Sequence, residues 1–83
     1  MAVPDYQTLM RPALVATDAN EPQGQPQIRD TVAAAMNLTD EDRQVLLPSG
    51  RQEMFANRVS WALNYLHHAK LVERPTRGHY FIT

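Results

Sequence analysis

Four side chains that can hydrogen-bond, Asn57, Ser60, Asn64 and His68, recur at spacings of three and four residues, and none is acidic. On an α-helix that spacing gathers them on one face, with Trp61 and His67 on its two flanks. Between them fall Phe55, Val59, Ala62, Leu63, Leu66 and Ala69, whose period places one apolar stripe on the opposite side. A helix of this kind presents donors and acceptors in a row. That is the chemistry needed to read base edges in the major groove of duplex DNA, where asparagine can bond adenine bidentately. Asn57 and Asn64 are the first choices for a base contact. The competing reading is a plain solvated face.

Cations surround this segment. Arg51 and Arg58 flank the helix start, and Arg74 and Arg77 frame the turn Pro75-Thr76-Arg77-Gly78. Guanidinium groups at a helix start and a turn tip suit phosphate contact, which positions a protein on nucleic acid without reading sequence. Arg77 has the most exposed position. Arg58 lies near the edge of the apolar stripe, so lying along the core or pairing with an acid competes with a phosphate role. Trp61 and Tyr65, four apart, share one flank. Stacking on an extruded base is the sharper hypothesis for them, and packing against the preceding short helix is the expected one. Adjacent helical residues point about 100° apart, so His67 and His68 do not chelate one ion easily. With His79 they are expected to be surface groups or pH-dependent phosphate contacts. The acidic run Asp40-Glu41-Asp42 fits a helix start better than a metal site, because hard cations need six or more converging oxygens. No metal and no cofactor is expected.

The elements that position these residues follow from the same patterns. Pro4 suits a first helical residue, and Tyr6, Leu9, Met10, Ala13 and Leu14 share a face, predicting a helix over about 4–16 in which Pro12 causes a bend near Thr8. Residues 18–25 read as a loop in which Gln25 can add a residue or two of strand. Pro26 opens a second helix to Asn37 with Ile28, Val32, Ala35 and Met36 inward. Thr39 caps a short helix ending at Leu46-Leu47-Pro48, and residues 48–52 form a loop before the long helix, Glu53–Ala69. Leu71–Arg74 and His79–Thr83 are strands, and the turn between them has proline at its first bend and glycine where a positive φ is required. The fold class expected is α+β, mostly helical: a winged helix-turn-helix with a short helix inserted between its two characteristic helices and a C-terminal β-hairpin wing.

Eighty-three residues suffice for one small domain, 1–83, that buries roughly 60–65% of its unfolded surface. There is no cysteine, hence no disulfide or thiol chemistry. A signal peptide and the ~18 consecutive apolar residues of a membrane span are both missing, so a cytoplasmic protein is expected. The formal net charge is only −1, but its distribution is uneven. Residues 1–50 have three arginines against seven acids, and residues 51–83 have five cations against two acids. The result is a dipolar molecule with one anion-facing side.

Several blocks carry a family resemblance. They are Pro4-Asp5-Tyr6-Gln7, Leu9-Met10-Arg11-Pro12, Leu47-Pro48-Ser49-Gly50-Arg51-Gln52, Asn57-Arg58-Val59, Trp61-Ala62-Leu63, Tyr65-Leu66, Glu73-Arg74-Pro75, Arg77-Gly78, Tyr80 and Ile82-Thr83. In this order the chain resembles the N-terminal domain of Mrr-type restriction proteins, with residues 18–25 matching least. The resemblance implies a winged helix that delivers a separate nuclease domain, of the PD-(D/E)xK type, to DNA and commonly to methylated DNA. The chain departs from the family's pattern at Lys70, where glycine is usual, at His67-His68, near which Lys or Arg is usual, and at Phe81, where a basic or polar residue is common.

A nuclease of that type needs an Asp and a Glu-x-Lys to hold Mg²⁺ and activate water. The one lysine, Lys70, has no acid two residues before it, so the chain is expected not to be an enzyme. The partner expected is double-stranded DNA, with a nuclease domain or a second copy as further candidates and no membrane. The alternative is a winged helix for protein interaction or dimerisation without direct DNA binding, which near-neutral charge, an exposed Phe81 and the flank aromatics would favour.

Overall fold

A computed structural model of the chain describes residues 3–83. Asp5 begins the first helix, α1 (Tyr6–Thr17), from outside it. Its carboxylate accepts from the Thr8 backbone N–H at 2.8 Å, satisfying one of the donors a helix start leaves open. That bond, first among several, holds the Asp5 carboxyl below its ordinary range. The helix therefore begins two residues later than Pro4 suggests, and it continues through Pro12 to Thr17.

A two-residue strand, β1 (Gln23–Gly24), follows, then α2 (Gln25–Ala35). Gln25 belongs to the helix rather than the strand, because Gln27 Oε1 accepts from Gly24 N at 2.8 Å and closes the first turn one residue before Pro26. The inward residues of α2 are Ile28, Val32 and Ala33, while Ala35, expected inward, is exposed. In an alanine-rich run the period alone does not separate Ala33 from Ala35. Asn37, at φ 55°, ends the helix: Leu38 N donates to Ala33 O and Asn37 N to Ala34 O, the paired bonds of a Schellman motif.

Next comes α3 (Asp40–Gln44), stapled by a reciprocal capping box. Thr39 Oγ1 accepts from Asp42 N at 3.1 Å, and Asp42 Oδ2 accepts from Thr39 N at 3.0 Å. The bond from the Thr39 backbone holds the buried Asp42 carboxyl below its usual range. Residues 45–54, expected as helix end and loop, instead make a miniature hairpin. Met54 N donates to Val45 O and Leu47 N to Gln52 O, and the turn closes from Gly50 N, at φ 71°, to Leu47 O.

The long helix α4 (Met54–His68) supplies more core side chains than any other element: Phe55, Val59, Ala62, Leu63 and Leu66. Leu9 and Ala13 of α1 and Ile28, Val32 and Ala33 of α2 join them in the core, with Val72 and Tyr80 closing it from the sheet. Ala69, the last residue of the expected stripe, is exposed beyond the helix end. The strands β2 (Val72–Glu73) and β3 (His79–Ile82) are each shorter than expected. They form an antiparallel sheet in the order β1-β3-β2, pairing Gln23 with Tyr80, Gly24 with His79, Val72 with Ile82 and Glu73 with Phe81. Phe81 is half-buried, not exposed. About half the chain is helical, and the α+β class holds. Among the described residues no helix is long and apolar enough to cross a membrane.

Candidate nucleic-acid interface

The register of the sheet brings the β2–β3 hairpin beside the outer face of α4. Gly78 takes φ 77° in a turn that His79 N closes onto Thr76 O at 3.1 Å, and this conformation directs residues 74–78 back toward the helix. His79 Nδ1–H also donates to Arg77 O at 3.2 Å, fixing the tip. Between helix and hairpin lies an open groove of about 690 Å³ lined by Gln25, Ser60, Trp61, Asn64, Arg74, Arg77, Gly78 and Tyr80. No carboxylate lines it.

Its floor is a hydrogen-bonded chain. Gln25 N donates to Gly78 O at 3.0 Å, Gln25 Nε2 donates to the Tyr80 hydroxyl at 3.3 Å, and Gln25 Oε1 accepts from Arg29 Nη1 at 3.4 Å. Gln25 thus buckles α2 to the hairpin. It also lines a smaller adjoining groove with Arg29, Gln52, Glu53, Ala56, Asn57 and Ser60. There Asn57 Nδ2 donates to Gln52 Oε1 at 3.0 Å, a bond that uses one of the amide's donors and none of its acceptor capacity.

Five of the ten residues singled out from sequence, Ser60, Trp61, Asn64, Arg74 and Arg77, meet in the first groove, and Asn57 joins Ser60 in the second. Arg51 is exposed in the turn before α4, its N–H donating to Ser49 Oγ. His67 and His68 do not line either groove, although His68 lies one turn beyond Asn64 on α4. They contact each other edge-on and line a separate hollow with Lys70, Val72, Glu73, Arg74 and Thr83. Arg58 turns away altogether. Its Nη1 donates to Val3 O at 2.6 Å and Pro4 O at 3.2 Å, tying α4 to residues 3–4.

The two flank aromatics part company as well. Tyr65 stacks on Tyr6 of α1 at 5.0 Å and 11°, not on α3 as expected, and the Tyr65 hydroxyl raises the Tyr6 phenol's pKa. Trp61 sits 6.3 Å from Tyr65 on one side and lines the groove on the other. What faces α3 is Phe55, whose ring lies 5.7 Å below the Arg43 guanidinium.

Sequence reasoning missed Gln25, Arg29 and Tyr80. Spacing hides them: Gln25 and Arg29 are four apart on α2 but fall in phase with Ile28, Val32 and Met36, and both are half-buried. Among the described residues no three His, Asp or Glu side chains gather as a metal site would require.

Compared with known families, residues 6–83 match the model of the Mrr N-terminal domain. The chain belongs to that family. Membership associates it with restriction systems. No curated protein and no solved structure matches it.

Proposed function

We propose that this Mrr N-terminal domain is a winged helix that binds double-stranded DNA and directs a separate nuclease domain to it. In this reading α4 enters the major groove with Asn57, Ser60 and Asn64 toward base edges. The β2–β3 hairpin is the wing, and Arg74 and Arg77 reach phosphates of the strand that runs between helix and wing. One observation carries the reading: the neutral hydrogen-bonding face of α4 and the two hairpin arginines border a single groove that no carboxylate lines. Arg29, held by Gln25, extends the positive side toward the start of α4.

Methylated DNA is the target class that the family likeness suggests. Anisotropy of a labelled duplex, unmodified and methylated, titrated at low salt tests both parts. Binding of either duplex supports the DNA-binding reading, and tighter binding of the methylated one supports modified-base recognition. Absence of binding to both at low salt contradicts the proposal and favours the interaction module. For that second reading Phe81 gives little support, since it is half-buried, and the exposed apolar pair Val45 and Leu46 on the miniature hairpin would be the surface to test. Phosphodiester cleavage, on the proposed reading, is left to the attached nuclease.

A further inference from the structure

Trp61, the chain's one tryptophan, remains 51% exposed in the middle of the helix that builds the core. A lone exposed apolar side chain needs no explanation, but the surroundings of this one are specific. Tyr65 stands behind the indole and is itself stacked on Tyr6, so the ring is braced from the α1 side. On its free side are the amides of Gln25 and Asn64, the hydroxyls of Ser60 and Tyr80, and the guanidinium groups of Arg74 and Arg77.

The groove therefore offers three kinds of contact together. It has a planar ring for stacking, neutral donors and acceptors for a hydrogen-bonding edge, and cations at the rim. An acidic peptide would use the arginines and leave the ring and amides idle. A base inside an intact duplex has both faces covered by its neighbours and cannot stack on an indole. An unstacked nucleotide uses all three, and the groove's volume is within the range of small-molecule sites.

We infer that the groove between α4 and the β2–β3 hairpin holds an unstacked nucleobase against Trp61, with its flanking phosphates on Arg74 and Arg77. The inference rests on the nucleic-acid reading above and adds a ligand state to it. Such a base has two sources, a single strand or a nucleotide extruded from a duplex, and the extrusion cost is least where the base is already unpaired.

The test uses the full 83-residue chain and three labelled DNAs of one sequence: a single strand, an intact duplex and a duplex with one central unpaired base. Trp61 fluorescence reports directly, because no other indole is present. The expected result is quenching by the single strand, the unpaired-base duplex or both, with affinity roughly 5-fold or more above that for the intact duplex. Which of the two DNAs binds tightly identifies the source. By anisotropy, Trp61→Ala weakens the unpaired-base ligands by roughly 5- to 100-fold and the intact duplex by several-fold less, while Trp61→Phe retains most of the affinity. Equal affinity for all three DNAs, with no Trp61 quenching and no selective loss in Trp61→Ala, overturns the inference. If the intact duplex still binds in that case, the DNA-binding proposal stands; if no DNA binds at all, both fall.

Discussion

Arg58 and Arg77 have the same charge and different environments. The Arg58 guanidinium satisfies the carbonyls of Val3 and Pro4, which have no helical partners at the chain's start, and it is half-buried. Removing a charged donor from such a site costs on the order of 1–2 kcal/mol, toward the lower part of the range because water can reach the carbonyls. Arg58→Ala should therefore lower the denaturant midpoint and leave DNA affinity unchanged under conditions where the variant is folded. Arg77, exposed at the hairpin tip, should behave in the opposite way: Arg77→Ala changes the unfolding free energy by no more than about 0.5 kcal/mol and weakens binding to all sequences alike. Asn64→Ala should weaken binding and also reduce preference between sequences, read by comparing affinities for several duplexes. If Arg58→Ala abolished binding without loss of stability, its assignment to the fold would be wrong.

At the scale of elements, two helix ends make measurable statements. Lys70 closes α4 at φ 63°, with Lys70 N donating to His67 O and Leu71 N to Leu66 O, the Schellman arrangement that glycine adopts without steric cost. Lys70→Gly should stabilise the chain by about 1 kcal/mol, seen as a raised denaturant midpoint at constant slope. The start of α3 responds to pH. Bonding to Thr39 holds the Asp42 carboxyl below its ordinary range, so the contribution is present above the unfolded value near 3.9 and is lost as pH falls through the lower folded value. Asp42→Asn should be less stable than the parent at neutral pH, and the difference should narrow below about pH 4. A difference that stayed constant with pH would mean that the carboxylate's charge is not what the cap uses.

These ends also mark how far sequence could be read. The core stripe of α4, the order of helices and the terminal hairpin were legible because each repeats a period over several residues. Residues 45–54 were not, because their hairpin rests on a few backbone bonds, and Leu46-Leu47-Pro48 reads equally well as a helix end. For the site, the polar face and the hairpin arginines were legible by spacing. The capture of Arg58 by the backbone, the hollow that His67 and His68 line with the sheet and the arrival of Gln25 and Tyr80 at the groove were not. Each depends on how distant segments meet, as in the bond from Gln25 to Tyr80 across 55 residues.

As a whole molecule, the chain measures 32 × 24 × 19 Å. Its longest dimension is close to one turn of duplex, about 34 Å, so one copy should cover about 10 base pairs. Affinity should then be nearly the same for duplexes of about 12 and about 20 base pairs, after correction for the number of sites, and should fall for one of about 6. The weak net charge does not oppose binding, because the acids are concentrated in residues 1–50 and the two grooves bordered by Ser60 include one carboxylate, Glu53. Counterion release depends on local phosphate neutralisation, and the net charge modulates only the long-range attraction. DNA binding through the hairpin arginines is tested most directly by the salt dependence of duplex affinity, measured for the parent chain and for the Arg74→Ala, Arg77→Ala double variant. The parent should show a negative slope of log K against log salt. In the variant that slope should become shallower by about 2, near 0.9 for each phosphate that an arginine no longer neutralises. An identical slope in both proteins, or no salt-sensitive binding in either, would contradict the proposed interface.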